Sequence, residues 1–190
     1  MLERLRAATS ARHAALERQL ALDENISRAR YVRVMQGFDT FLAAWEPMLA
    51  ALVPAALRAW FTAGLRGNRA AQDVRALGAL RLAPQRLDID LPDAAAVFGT
   101  LYVIEGSALG AQVIAPVLDR CLGLTRDSGS AYFHGGSDSA AARWREFRVL
   151  LAQHAAAGDA AGQSACRAAQ QTFDALALSF GKALGEHAAA

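Results

Sequence analysis

Residues 99–117 read GTLYVIEGSALGAQVIAPV, and this stretch decides the fold. It is apolar enough for a buried helix, yet Gly106 and Gly110 stand four residues apart inside it. Each interior glycine costs a helix about 1 kcal/mol relative to alanine, so the pair gives up about 2 kcal/mol. Residues four apart share one face. Gly99, one heptad earlier, lies on nearly the same face, and Ser107, Ala108 and Ala111 keep the flanks small. A strip without side chains lets something come close to the backbone. Two occupants fit: another helix in a small-xxx-small crossing, or a flat, bulky ligand. On this stretch alone both stay open.

Upstream, residues 81–92 form a polar connector holding Pro84 and Pro92, and Asp93 is placed to cap the glycine-bearing helix. Downstream, Pro116 is expected to bend or end it. Working outward to the N-terminus, Leu2, Leu5, Thr9, His13, Leu16 and Leu20 fall at steps of three and four, one stripe of a first helix. That spacing puts His13 on the inward stripe. Ser27 reads as the cap of a second helix carrying Tyr31, Val34, Met35, Phe38, Phe41, Leu42 and Trp45, which Pro47 and Pro54 interrupt. A short helix through Phe61, a loop at 64–68 and a helix over 70–80 follow.

Residues 123–137, with four glycines, are the least regular part. Serines at 137 and 139 then offer caps for a helix running to about residue 156, with Trp144, Phe147, Leu150 and Leu151 inward. Residues 158–162 turn the chain into a last helix bearing Phe173, Leu176 and Phe180, and 185–190 reads as a frayed tail. No segment alternates with period two for long; LDIDL at 87–91 is too short and too flanked by proline to build a sheet. The prediction is all-α: a single helical-bundle domain, 1–190, of six to eight helices.

At 190 residues and 54% hydrophobic content the chain can bury a real core. A net charge of +2 gives no argument for nucleic acid. The basic residues are nearly all arginine, Lys182 being the one lysine, and arginine holds carboxylates with a fork of donors. Cys121 and Cys166 have neither metal-ligand spacing nor a disulfide framework, which fits a reducing cytoplasm. The first residues lack the apolar core of a signal peptide. No apolar run reads as approaching the roughly 20 residues of a membrane helix. A soluble, cytoplasmic protein is expected.

Among chemical motifs there is no G-x-S-x-G, P-loop, H-E-x-x-H or GxGxxG, and no His lies three residues after a Glu, as di-iron bundles need. His13 remains. A lone histidine on an apolar stripe is ordinarily a hydrogen-bonded core residue. Glu17, one turn later, is the carboxylate a metal-bound imidazole uses to fix its second nitrogen. One imidazole and one bare backbone wall are what an iron porphyrin needs: a single axial ligand and a face open to a small gas. The propionates of such a ring want cations, and Arg6 sits two turns above His13 on the same side.

The first helix resembles that of the heme oxygenases, whose pattern is a basic residue, then x-A-T-x-x-x-H-x-x-x-E. Here it is Arg6-Ala7-Ala8-Thr9, then His13 and Glu17. The central LYVIEGSALGAQVI resembles the family's distal helix, nearest to bacterial members that supply biliverdin to bacteriophytochromes. AYFHGGSDSAAARWREF and Thr172-Phe173 resemble the corresponding bacterial regions. The resemblance implies His13 as iron ligand and Glu17 as its hydrogen-bonding partner. It implies Gly106 and Gly110 facing the bound oxygen, and Arg6 as a propionate cation, joined by Arg145 or Arg148 and by Tyr102. An aspartate of the animal enzymes is replaced by Ser107, as in several bacterial relatives, which puts the proton route in question. The activity implied is oxidative cleavage of heme b, substrate and cofactor at once, by O2 and electrons from an external donor of the ferredoxin or NAD(P)H-linked reductase type, giving biliverdin, CO and ferrous iron. Two rival readings are a heme carrier that leaves the ring intact and a bundle of this fold binding a thiamine-related pyrimidine.

Overall fold

The C-terminal helix α8 (Asp159–Leu184) is the post against which three others pack: α1 (Leu2–Leu20), α2 (Arg28–Ala50) and α5 (Ala94–Leu122). Small side chains make this possible. Ala165, Ala168, Ala169 and Ala175 are buried along α8, so neighbouring helices reach nearly to its backbone. This computed structural model describes residues 1–135, 137–154 and 158–185. Its other helices are α3 (Arg58–Ala63), entered through a 3-10 turn at Ala55–Leu57, α4 (Gly67–Ala76), α6 (Ala131–His134) and α7 (Ser137–His154). Helices α6 and α7 pack on α5, and α4 packs on α2. No strand occurs among the described residues, in line with the all-α expectation. Of the tail expected at 185–190, residues from 186 onward lie outside the described ones.

Two of the expected caps are made, whereas serines 137 and 139 fall within α7 and not ahead of it. Ser27 accepts from the Arg30 N–H at 3.2 Å, and Asp93 accepts from the Ala96 N–H at 2.8 Å. Ser164 of α8 donates to the same Asp93 carboxylate, tying the start of α5 to its support. The connector before Asp93 is pinned as well: Arg81 holds Asp39 through two 2.8 Å bonds, and Gln85 donates to Ser179.

Elsewhere the structure departs from the local reading. Pro47 does not interrupt α2, which continues to Ala50; so near a helix end, proline forfeits one backbone bond and no more. Pro116 likewise leaves α5 intact as far as Leu122, where Gly123 ends it at φ 63°. The helix expected over 70–80 is displaced to Gly67–Ala76. Its start is capped from outside, by the Glu46 carboxylate of α2 accepting from the Arg66 and Gly67 N–H groups at 2.7 and 2.8 Å. Its end is a Schellman turn: Gly78 at φ 74°, with Gly78 N–H to Arg75 O and Ala79 N–H to Val74 O. Within the irregular 123–137 segment lies α6, whose first N–H groups at Ala131 and Tyr132 are accepted by buried Asp73 at 2.8 and 2.7 Å. Finally, α5 is long and apolar enough, by length and composition, to cross a membrane, against the expectation above. Its packing against α6, α7 and α8 makes it the core helix of the bundle.

Candidate functional site

The three glycines of α5 have different neighbours. A Cβ at Gly99 would lie 2.8 Å from the Ala165 carbonyl carbon and nearer still to its oxygen, so this glycine exists for the α5–α8 crossing. Among the described residues, a Cβ at Gly106 would meet only the Trp144 ring, at 3.7 and 3.8 Å, which is ordinary contact, and one at Gly110 would meet only its own helix's Ile114, at 4.0 Å. Packing therefore explains Gly99 and leaves the other two unexplained. Ser107, exposed beside them, donates to the Ile104 carbonyl at 2.8 Å.

His13 corrects the sequence reading. Its side chain is 57% exposed, not turned into the core. Helix α1 rests on α8 through Leu5 and Thr9, its buried residues, and two turns on from Leu5 the imidazole stands clear of that contact. One edge is fixed by Phe173 of α8, with ring centroids 5.9 Å apart at 80°. Nδ1 lies 3.5 Å from a Glu17 oxygen, which leaves Nε2 as the outward nitrogen. Next to it, Arg12 reaches Asp174 of α8 at 2.8 Å.

Helix α8 brings these parts together. Thr172 and Thr100 of α5 share a hydroxyl bond at 2.8 Å, and the next residue, Phe173, touches His13. The two helices thus rest on adjoining residues of one support, with no extensive packing on each other. Gly106 lies about 9 Å along the α5 axis from Thr100, at 1.5 Å per residue.

Arg6 on α1 and Arg145 and Arg148 on α7 are exposed and form no ion pair among the described residues. Tyr102 is half-buried, its ring 5.8 Å from that of Trp144. Sequence reasoning missed Arg143. It grips Glu105 through two bonds of 2.8 and 2.9 Å, donates to the Trp60 carbonyl and stacks on the Trp60 ring at 3.9 Å. Glu105 is the sole charge between Asp93 and Asp119. That isolation announces a partner without saying which arginine it is.

A second missed group lies behind Ser107. Tyr132 is buried and hydrogen-bonded to Ser107; burial pushes its phenol above the ordinary tyrosine range, while nearby Arg66 pulls the other way. Arg66, itself buried, donates to the Ile104 carbonyl. Among the described residues, chain neighbours aside, no carboxylate or imidazole comes within 4 Å of a Cβ at Gly106 or Gly110.

Together these features describe an all-α protein with an outward imidazole on one helix, an uncovered strip on another, and unpaired arginines on α1 and α7. Residues 1–178 match the family model described as heme oxygenase. A heme oxygenase of Xanthomonas campestris pv. campestris is 30% identical over 136 residues, 68% of this chain and 76% of that one. The NO- and CO-bound heme oxygenase of Neisseria meningitidis has the same fold, with a TM-score of 0.74 at 22% identity, over 99% of this chain and 94% of that one. The heme oxygenase of Leptospira interrogans follows with a TM-score of 0.70 at 18% identity, over 94% and 97%. The chain belongs to the heme oxygenase family; it is an enzyme of heme degradation, using oxygen and a reductant. The residues present fit a heme: an outward imidazole nitrogen with a carboxylate on its other side, and a strip that, among the described residues, nothing on a neighbouring helix but Trp144 reaches.

Proposed function

We propose that His13 is the single protein ligand to the iron of heme b, and that Gly106 and Gly110 form the wall facing the oxygen-binding side. The observation that carries this reading is the pair of α5 glycines that no neighbour among the described residues requires. About 2 kcal/mol of helix stability is given up for an open backbone, and it is given up on the helix next along α8 from an outward histidine. When bound, heme supplies the oxygen activation at its own iron, and its ring is what is cleaved.

The chain's own groups have simpler tasks. His13 would hold the iron through Nε2, while Glu17 accepts the Nδ1 proton and so fixes the tautomer. The bare strip admits the ring plane close to α5. Arg6, Arg145 and Arg148 hold the propionates, with the Tyr102 hydroxyl within the same rim. Ser107 has its hydroxyl committed to Ile104 O, and Glu105 is committed to Arg143. Among the described residues the oxygen-side wall thus carries no free acid or base of the kind that splits an O–O bond in peroxidases, which leaves the ring itself to be oxidised.

The single domain runs through the whole chain in this reading. Electrons come from a ferredoxin or an NAD(P)H-linked reductase, and the two thiols, Cys121 and Cys166, both free, suit a reducing cytoplasm. Supply of biliverdin to a bacteriophytochrome rests on the likeness of the central helix to such bacterial enzymes.

The test is His13→Ala. The expected outcome is loss of histidine-ligated heme spectra and of biliverdin formation with ascorbate under air, both partly restored by added imidazole. Wild-type turnover in that variant would remove His13 from the reaction.

A further inference from the structure

We infer that Trp144 is a specificity-determining residue: its indole bounds the open strip of α5 at the Gly106 end and so decides which way round the macrocycle seats. This rests on the heme reading just given. Among the described residues, Trp144 is the one side chain from another helix that comes within 4 Å of a Cβ built on either glycine of the strip; Gly110 has none. The strip is therefore lopsided, walled at Gly106 and open at Gly110.

The indole is not free to step aside. It stacks on Phe147 at 5.2 Å and 23°, and leans on Tyr102 at 5.8 Å. The backbone beneath it is fixed by the preceding residue. Arg143 binds Glu105 through both carboxylate oxygens while lying on the Trp60 ring, and it fills the space a side chain at Gly64 would take. Glu105–Arg143 and Gly106–Trp144 are consecutive rungs between α5 and α7, the first a buried ion pair and the second a wall. Moving the indole outward means drawing a buried carboxylate away from its guanidinium.

A porphyrin's two faces, and its four bridging carbons, differ only through the substituents at the rim. The intrinsic preference among seatings is therefore small, and a rigid obstacle on one side can set it. An aromatic contact of ordinary strength is enough for a bias of about twofold to tenfold.

The experiment adds hemin to wild type, Trp144→Leu and Trp144→Phe. Proton NMR of the ferric cyanide complexes counts the seatings from the heme-methyl resonances, without turnover. Chromatography of the biliverdin isomers made with ascorbate under air is the second readout. Trp144→Leu is expected to bind hemin and to change the seating ratio several-fold, Trp144→Phe falling between it and wild type and the isomer ratio moving the same way. Circular dichroism without hemin checks the fold, and if the leucine variant does not fold, the phenylalanine variant carries the test alone. Unchanged methyl patterns and isomers in a folded variant would overturn the role of Trp144 and leave the heme reading standing. A wild-type protein giving no Soret band with hemin would sink that reading, and this inference with it.

Discussion

Helix α5 is two helices in its surroundings. Every residue from 95 to 105 except Tyr102 is buried, whereas from 106 to 117 only Ala108, Ala111 and Ala115 are. Both halves are apolar, and both carry glycine. In the first half Gly99 is pressed against the Ala165 backbone; in the second, among the described residues, a Cβ at Gly106 would make only ordinary contact with Trp144 and one at Gly110 would meet no other helix. The lesson is that a small-residue stripe has no single meaning. Only the neighbours say whether a missing side chain serves packing or access.

The largest expected effect comes from the sealed half. Gly99→Ala drives a methyl into a main chain that cannot swing away, since Asp93 and Ser164 already tie the two helices nearby. A loss of about 3 kcal/mol or more is expected, or no folded protein, measured by urea denaturation and soluble yield. A tolerated alanine would mean that the two halves do not differ as described.

At the junction, Arg143→Met strands the Glu105 carboxylate, 5% exposed, and is expected to cost about 3–5 kcal/mol. Glu105→Leu combined with Arg143→Met should recover much of that loss, because the cost lies in the orphaned charge. Denaturation midpoints of the single and double variants check this, and equal loss in both would contradict it.

In the open half the sign reverses. Gly106→Ala and Gly110→Ala meet no atom closer than 3.7 and 4.0 Å, so each is expected to stabilise the hemin-free protein by up to about 1 kcal/mol. Turnover with ascorbate should nonetheless fall, more for bulkier residues. Stability and activity moving in opposite directions is the signature of a site. A destabilised Gly106→Ala would return that glycine to packing.

Much of this was legible in the residues. The caps at Ser27 and Asp93, the helical periods and the absence of strands are local properties, and they appear in the structure as read. His13, Glu17, Gly106 and Gly110 are candidates by spacing and by family pattern. What stayed hidden depends on distant partners. Glu46 starts α4 from another helix, so the local sequence put that helix three residues late. The burial of His13 was misjudged because a stripe gives the direction of a face and not where the supporting helix stops covering it. Arg143, rather than Arg145 or Arg148, took the buried carboxylate, a choice made by α7's rotation. Gly99 looked like its two companions until Ala165 was in place.

The smallest effect concerns what backs each half. Behind the sealed half, the Trp45 N–H donates to Thr100 at 2.7 Å, and neither group titrates. Behind the open half stands Tyr132, a phenol whose proton burial holds on more tightly than in the unfolded chain. Tyr31, buried and bonded to the Gly129 carbonyl, is raised for the same chief reason. Below pH of about 10 both phenols keep their protons folded or unfolded and add no pH dependence. Above it the unfolded chain gives them up and the folded one does not. Stability therefore falls as pH rises, by about 1.4 kcal/mol per pH unit for each such phenol. Tyr132→Phe keeps the ring against Phe38, 4.6 Å away, and removes one titrating group. Its stability should decline less steeply than wild type between pH 10 and 11 on the scale of that slope, read from urea midpoints at each pH. Identical slopes would mean that Tyr132 ionises in place, and that the inner side of the open half is reached by water as its outer side is.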